Sequence, residues 1–341
     1  MMVAPAEYPR RQTRHNQRRV STFALLITIA SVLSLRRDSA PLEPQALIAF
    51  MGIGAPERDT SYQRFMTALD QSPPQKRQRL RVVFVESGLA TPQTRIEAAR
   101  HVASLNPRIV VAPSSATAKM AKERLQETPI IFGSFLDPVR YGLVSSMESR
   151  REQMTGVWVA DTLDEKRLEI LRDAYPSAKR IAVLIDRPWG QYFESATKLP
   201  AVGSALGLEV SVLFAEDAKD ARALLEKPSS REFDAWCLPR TGLAGLNTSL
   251  IVERLRRWGK PVIIANTPDM ASGAPLSYAL DMSFAWPAIA ELVYRVLDGE
   301  DASSIPVLRP QRAVLAVRPD PPEGFPPPAA AIVRRADVVL R

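Results

Sequence analysis

Short apolar runs alternate with helical patterns along most of the chain, and this alternation limits the fold more than any other feature. The run "LIAFM", for example, precedes a pattern that puts Tyr62, Phe65 and Leu69 on one face of a helix. Apolar strands separated by helices predict parallel sheets that helices cover on both faces. The predicted strands are residues 47–51, 80–85, 109–112, 130–132 and 154–159 in the first half, and 180–186, 209–214, 235–238 and 261–265 in the second.

The strand–helix rhythm restarts after residue 160, so the sequence predicts two similar α/β domains. The chain has 341 residues, which is enough for two domains of ordinary size. Near the end, the proline-rich stretch "PDPPEGFPPPAAAIV" predicts a loop that leads into a final short helix.

The positive charge of the chain is concentrated at its start. The formal net charge is +8, and residues 1–40 hold seven arginines against Glu7 and Asp38. That segment therefore contributes +5 and leaves +3 for the rest of the chain. Because no basic stripe remains to follow a phosphate backbone, the charge pattern argues against a nucleic-acid partner.

The same basic segment predicts export from the cytoplasm. "RRQTRHNQRRV" resembles the charged start of a signal peptide, and "VSTFALLITIASVLSL" has the length of its apolar region. Arg36 and Arg37 directly follow the apolar stretch, so residues 1–40 are either a signal peptide or an uncleaved N-terminal anchor. The pair Arg18-Arg19 also suggests a twin-arginine signal. Cys237 is the only cysteine, so an intrachain disulfide is excluded.

Polar and aromatic residues follow the predicted strands at corresponding ends of both sheets. Parallel sheets bind ligands at these carboxyl ends, where loops meet helix N-termini. A serine at a helix start can cap the helix, and the free N–H groups beside it can donate hydrogen bonds to a carboxylate. The alternative is that Ser114 and Ser115 only cap their own helix. The candidates are Gly54, Ser114, Ser115, Ser134 and Asp137 in the first half, and Asp186, Trp189 and Arg240 in the second.

The sequence offers little support for catalysis. Only His15 and His101 are present, and no spacing of a metal site, a dinucleotide fingerprint or a phosphate-binding loop occurs. Asp137 and Asp186 could form a carboxylate pair across a cleft, but they are more simply acceptors for a ligand amine or residues that shape loops. We therefore predict a protein that is not an enzyme and that needs no cofactor or metal.

Several motifs in a fixed order resemble one family. "LDPVRYGLVSSM", "QMTGVWV" and "EKRLEILRDAYPSAKRIAVL" are similar to segments of the ABC-transporter substrate-binding proteins related to tryptophan- and tyrosine-binding proteins. "PSSATA" and "APLSYALDMSFAWPAIAELVYRVLDGEDASSIPV" extend the resemblance, and "RRADVVLR" resembles the family's C-terminal helix. The resemblance covers residues 46–341 in the same order.

The chain departs from the family pattern in loops that face the ligand there. Leu136 stands where the family has glycine, "DRPWGQ" replaces an expected "NPxN", and the first loop reads "GIGAPERD". The identity of the ligand is the property that these departures leave open. Residues 20–40 also lack the cysteine of a lipoprotein signal, which implies a soluble periplasmic form or an anchor without lipid.

The resemblance implies a type I periplasmic-binding-protein fold with two lobes and three crossovers. Lobe one would comprise residues 46–157 and 278–304, and lobe two residues 158–277 and 305–341. Trp158, Tyr278 and Asp281 would then lie near the crossovers, where they would contact ligand. Alternatively, Trp158 and Tyr278 pack the hinge and Asp281 caps the helix that begins near Ser283.

The implied function is that of an extracytoplasmic solute-binding protein, expected as a monomer, which delivers a small solute to an ABC permease of the inner membrane. The solute would be an amino acid or an aromatic amino-acid-like molecule. A periplasmic sensing module of the same fold, which acts on a sensor protein, remains the alternative.

Export can be tested with the first 45 residues alone. A fusion of residues 1–45 to a reporter enzyme should appear outside the cytoplasm, because the segment combines a basic start with an apolar stretch. The measurement is reporter activity in periplasmic and cytoplasmic fractions. Replacing Arg18 and Arg19 by lysine should block export only on the twin-arginine route. A reporter that stays cytoplasmic would refute the export prediction.

Overall fold

The computed structural model describes residues 45–87, 91–125, 127–148, 150–159, 162–240, 242–310 and 312–341. The predicted export segment, residues 1–40, lies outside these ranges. None of the helices in the described ranges is both long enough and apolar enough to span a bilayer.

Five parallel strands form the sheet of lobe one, in the spatial order β2-β1-β3-β4-β5. Ala46 of β1 lies opposite Leu80 of β2, and every neighbouring pair in this sheet runs parallel. The strands are β1 (Ala46–Gly52), β2 (Leu80–Glu86), β3 (Ile109–Ala112), β4 (Ile130–Ser134) and β5 (Met154–Trp158). The helices from this part of the chain are α1 (Thr60–Asp70), α2 (Pro74–Gln78), α3 (Pro92–Ser104) and α4 (Ser115–Arg124).

Seven strands form the sheet of lobe two, in the order β12-β11-β10-β9-β8-β6-β7. The strands are β6 (Arg180–Asp186), β7 (Glu209–Ala215), β8 (Ala235–Leu238), β9 (Val262–Ile264), β10 (Leu276–Leu280), β11 (Ala313–Val317) and β12 (Val338–Val339). The helices that follow β5 are α5 (Asp164–Ala174), α6 (Arg187–Tyr192), α7 (Ser195–Ala205), α8 (Ala218–Glu226), α9 (Gly242–Arg257), α10 (Ala285–Leu297) and α11 (Ala330–Arg335), with 3₁₀ turns at Pro228–Glu232 and Thr267–Ser272.

The predicted two-lobed α/β fold is confirmed, with two local differences. β10 and β11 pair antiparallel, because β11 enters the sheet after the chain has returned from lobe one. At the C-terminus, helix α11 ends at Arg335, and Val338–Val339 pair with β11 as a strand. The sequence resemblance had extended the final helix across this segment.

Helix α10 follows a lobe-two strand but packs on the sheet of lobe one. Its buried side chains Ile289 and Val293 join Phe50 of β1 and Phe65 of α1 in one apolar cluster. The chain therefore crosses between the lobes three times: after β5, after β10 and before β11. At the outer crossovers, Trp158 N–H donates to Leu308 O at 2.8 Å, and Leu308 N–H donates to Gly156 O at 2.9 Å.

A buried arginine fixes the segment that precedes the third crossover. Arg150 is 8% exposed, and its guanidinium hydrogen-bonds to main-chain carbonyls alone among the described contacts. It thereby joins the loop before β5 to the segment after α10. Removal from water lowers the pKa of Arg150. The carbonyl acceptors belong to Ser146, Met147, Glu148, Met154, Ala302 and Ile305.

Arg150→Met should destabilise the fold strongly. The apolar side chain would leave several buried carbonyls without donors, and each such loss costs about 1–3 kcal/mol. We expect the free energy of unfolding, measured by urea denaturation, to fall by about 3 kcal/mol or more. Arg151→Met is the matched control. The side chain of Arg151 is exposed, so its replacement should change the free energy of unfolding little. Equal stability of the two variants would contradict this role for Arg150.

Candidate functional site

Loops at the carboxyl ends of strands from both lobes meet through an aromatic and cationic cluster. Phe135 follows β4 in lobe one, and its ring centroid lies 6.4 Å from that of Trp189 in α6 of lobe two. The guanidinium carbon of Arg240, which follows β8, lies 5.2 Å from the Phe135 ring centroid. We call Phe135, Trp189 and Arg240 the strand-end cluster. It presents one cation and two flat apolar surfaces where the lobes meet.

A second set of contacts joins the lobes beside this cluster. The N–H of Asp137 donates to the hydroxyl of Tyr192 at 3.1 Å, and the Arg140 guanidinium carbon lies 4.6 Å from the Tyr192 ring centroid. Arg140 Nη2 is also 3.6 Å from Glu194 Oε1. Burial raises the pKa of Tyr192, so the hydroxyl is neutral at physiological pH. We call Asp137, Arg140, Tyr192 and Glu194 the lobe latch.

Glu194 occupies a strained backbone conformation. Its φ of 56° and ψ of 35° lie in the left-handed region, which costs a non-glycine residue about 1 kcal/mol or more. It immediately precedes α7, and its carboxylate also lies 3.3 Å from Lys198. The strained residue thus stands at a contact between the lobes.

Ser114, rather than Ser115, caps helix α4. Ser114 Oγ accepts from Thr117 N–H at 3.2 Å, and Thr117 Oγ1 accepts from Ser114 N–H at 3.1 Å. This reciprocal pair is a capping box, which satisfies two main-chain donors at the helix start. The Ser114 side chain is therefore used by its own helix.

Ser115 and Ser134 are both buried and hydrogen-bond to each other at 2.8 Å. Ser134 Oγ also donates to Leu136 O at 2.6 Å. A hydroxyl has a single proton, so Ser134 gives its proton to Leu136 and Ser115 must donate to Ser134. Both hydroxyl protons are consumed within lobe one, which leaves none for a ligand.

The two candidate carboxylates are also held by their own loops. Asp137 Oδ1 accepts from Val139 N–H at 2.9 Å and from Arg140 N–H at 3.0 Å. Asp186 is 8% exposed and caps α6 by accepting from Trp189 N–H at 2.9 Å. Both aspartates therefore shape the loops that carry the strand-end cluster.

The remaining candidates make their described contacts elsewhere. Gly54, in the loop after β1, has a φ of +73° that favours glycine. The carbonyl of Tyr278 accepts from buried Arg167 Nε at 2.8 Å. Asp281 lies in the second crossover, where its carboxylate accepts from Ser283 N–H at 2.9 Å. Trp158 is the last residue of β5, directly before the first crossover, and the Arg309 guanidinium carbon lies 4.2 Å from its ring centroid.

Sequence reasoning missed Phe135, Arg140 and Tyr192, although all three lie in or next to stretches that it singled out. Phe135 directly precedes "LDPVRYGLVSSM", which contains Arg140, and Tyr192 directly follows "DRPWGQ". An aromatic residue directly after an apolar strand is a weak signal, because such a residue usually belongs to the core. In the described part of the chain, His, Cys, Asp and Glu side chains do not gather in any group of three that could hold a metal ion.

Two parallel-rich sheets, three crossovers and opposed strand ends together define the type I periplasmic-binding-protein fold. The chain belongs to the family of ABC transporter substrate binding proteins, whose model matches residues 48–319. A tyrosine-binding protein from Clostridioides difficile is 23% identical over 254 residues, which cover 74% of this chain and 72% of that protein.

Solved structures of low sequence identity share the fold. An ABC domain from Streptococcus pneumonia in complex with L-Trp matches with a TM-score of 0.70 at 15% identity, covering 87% of this chain and 100% of that one. A conserved domain protein from Vibrio cholerae matches with a TM-score of 0.70 at 18% identity and the same coverage. The ligand-free, open structure of a Clostridium difficile substrate binding protein with adhesive properties has a TM-score of 0.60 at 21% identity, covering 80% of this chain and 92% of that one.

The serine pair can be tested with a double-mutant cycle. Ser134→Ala removes a donor and an acceptor, whereas Ser115→Ala removes only its bond to Ser134 and a long contact with Leu136 N–H. We expect each variant to lose about 1 kcal/mol of unfolding free energy, with a coupling of about 0.5 kcal/mol or more. Urea denaturation provides the measurement. Ser204→Ala, at an exposed position of α7, should be neutral, and additive losses would show that the two hydroxyls act independently.

Proposed function

We propose that this protein is the extracytoplasmic solute-binding component of an ABC transporter, and that it closes its two lobes on an aromatic amino acid or a similar molecule. The observation that carries the proposal is the strand-end cluster, which brings one cation and two aromatic rings together from different lobes. A solute held there would contact both lobes at once. Membership of the family supports its delivery to a permease.

The chemistry of the strand-end cluster suits an amino acid with a flat side chain. A guanidinium binds a carboxylate through a fork of N–H donors, so Arg240 would take the solute's carboxylate. Phe135 and Trp189 would pack against its side chain, since aromatic rings favour stacked or edge contacts. The related protein that binds tyrosine and the similar structure in complex with L-Trp support this choice of solute.

The serines serve this site as scaffold in our proposal. Because the hydroxyl protons of Ser115 and Ser134 are used within lobe one, they cannot bind the solute carboxylate. It would instead accept hydrogen bonds from main-chain N–H groups at the start of α4. The N–H groups of Ser115 and Ala116 lie in the first turn, where a helix has no acceptor of its own. The dipole of α4 would add to the attraction for negative charge.

Closure would be aided by the lobe latch. Tyr192 and Arg140 form direct contacts between the lobes that need no solute. A solute at the strand-end cluster would add contacts to both lobes and favour the closed arrangement, because a ligand shifts an equilibrium by its differential affinity for the two states.

L-Tyrosine or L-tryptophan should bind the purified protein and raise its melting temperature. Binding to the folded state alone stabilises it by about 2.7 kcal/mol at a hundredfold excess over Kd. Small-angle scattering should show a smaller radius of gyration with ligand. D-Glucose serves as a control solute that lacks both carboxylate and aromatic ring.

Arg240→Met should weaken binding of the amino acid at least about tenfold by calorimetry, because the carboxylate loses its cation. Arg231→Met is the matched control. Arg231 also lies over an aromatic ring, 5.6 Å from the Trp258 centroid, but it belongs to a 3₁₀ turn of lobe two outside the cluster. Unchanged affinity in Arg240→Met would show that the solute does not bind at the strand-end cluster. If neither amino acid binds the unmodified protein, the proposed solute class is overturned.

A further inference from the structure

A cavity of about 490 Å³ lies beside the second crossover, away from the residues of the strand-end cluster. Its walls come from α1 and the start of α10 in lobe one, and from the segment after β9 in lobe two. A volume of this size accommodates an amino acid or a somewhat larger molecule. The lining residues that matter for recognition are Arg64, Gln71, Asn266, Leu280, Asp281 and Trp286.

The polar groups of this hinge cavity differ from those of the strand ends, because several are available. No carboxylate of the described residues lies within 4 Å of the Arg64 guanidinium, and the Asn266 side chain makes no hydrogen bond with them. Asp281 accepts from Ser283 N–H through Oδ1 at 2.9 Å, and the Ser283 hydroxyl and Arg312 also interact with its carboxylate. A carboxylate offers about four lone-pair positions, so acceptor capacity remains for an amine. Hydrogen bonds from Ser283 lower the pKa of Asp281, so the carboxylate is charged at neutral pH.

The apolar part of the cavity is formed by an indole ring and an aliphatic side chain. Trp286 is partly buried, and its ring centroid lies 6.4 Å from that of Phe50 in the core of lobe one. Leu280, in the last position of β10, lines the cavity from lobe two. The cavity therefore combines an indole, an aliphatic side chain, a cation and an anion.

We propose that the hinge cavity is a second small-molecule site, which binds a small zwitterion with an apolar side chain, that is, an amino acid. Asp281 holds its amine, Arg64 holds its carboxylate, and Trp286 packs against its side chain. The choice of an amino acid as ligand rests on the proposed function, whereas the position of the site rests on the cavity itself.

Occupancy of this site is coupled to the arrangement of the lobes. The walls belong to both lobes and to a crossover, so movement of one lobe changes the distance between the groups that hold the ligand. A ligand that binds the two arrangements unequally shifts the balance between them, and this coupling is reciprocal between sites. Solute in the hinge cavity therefore changes the affinity of the strand-end cluster.

The experiment measures how many amino acids bind the full chain and which residues each needs. Equilibrium dialysis with radiolabelled L-tryptophan and L-tyrosine should show two equivalents bound to the unmodified protein. Arg64→Gln and Asp281→Asn should each weaken one equivalent about tenfold or more, while Arg240→Met weakens the other. Arg100→Gln, at an exposed position of α3, should leave both unchanged.

A steric variant tests the cavity without altering its charges. Thr67→Trp places a bulky side chain at an exposed position that lines the cavity, so it should abolish one equivalent. Gln63→Trp, one turn earlier on the same helix and outside the lining, is the matched control. Circular dichroism confirms that each variant is folded.

The outcomes separate this inference from the proposed function. A single equivalent that is lost in Arg240→Met but persists in all three cavity variants overturns the second site and leaves the proposed function standing. A single equivalent that needs Arg64 and Asp281 but not Arg240 supports the cavity site and overturns the strand-end assignment. No uptake of either amino acid overturns both.

Discussion

The architecture depends on the need to cover both faces of two largely parallel sheets. β1, β3 and β4 are apolar on both sides, so an uncovered face would expose a continuous apolar surface. Helix α1 alone does not cover the face that carries Phe50. Helix α10, which follows β10 of the other lobe, completes the cover with Ile289 and Val293. The second and third crossovers exist because α10 must reach lobe one and the chain must then return.

Hydrogen bonds at the strand ends limit which side chains remain for recognition of a solute. At the strand ends, Ser114 and both candidate aspartates are held by hydrogen bonds within their own loops. Ser115 and Ser134 are held by a hydrogen bond between neighbouring strand ends. Buried polar groups need such partners, so these residues give a rigid frame rather than a set of free donors. Under the two proposals, recognition falls to Phe135, Trp189 and Arg240 at the strand ends and to Arg64 and Asp281 at the hinge. Arg240 is itself anchored to its own lobe, since its Nη2 donates to Ala265 O at 3.1 Å.

The sequence predicted the strands well, because burial on both faces leaves continuous apolar runs that need no tertiary information. It did not predict β10, β11 or β12, which follow the last predicted strand. β12 could not be found from the sequence, since two exposed valines form a strand only where β11 offers an edge. Helix α6 could have been predicted. Asp186 is a favourable cap, and Pro188 lies in the first turn.

The candidate site was predictable in position but not in chemistry. The strand-end rule located Ser115 and Ser134 correctly within the fold. Their pairing, however, depends on β3 and β4 being neighbours and on the direction of one hydroxyl. Phe135 and Tyr192 were missed because an aromatic residue near a strand usually belongs to the core, and only the contact between lobes distinguishes them.

Magnitudes indicate how the lobe latch and the solute would share the work of closure under the proposed function. Arg140 and Glu194 are 53% and 55% exposed, and an exposed ion pair contributes about 0–1 kcal/mol. The hydrogen bond between Asp137 and Tyr192 adds about 1 kcal/mol. Reversing a two-state population from 1:99 to 99:1 requires about 5.5 kcal/mol, which the latch falls well short of supplying. The latch can bias the lobes toward each other, but differential binding of the solute must decide whether they close.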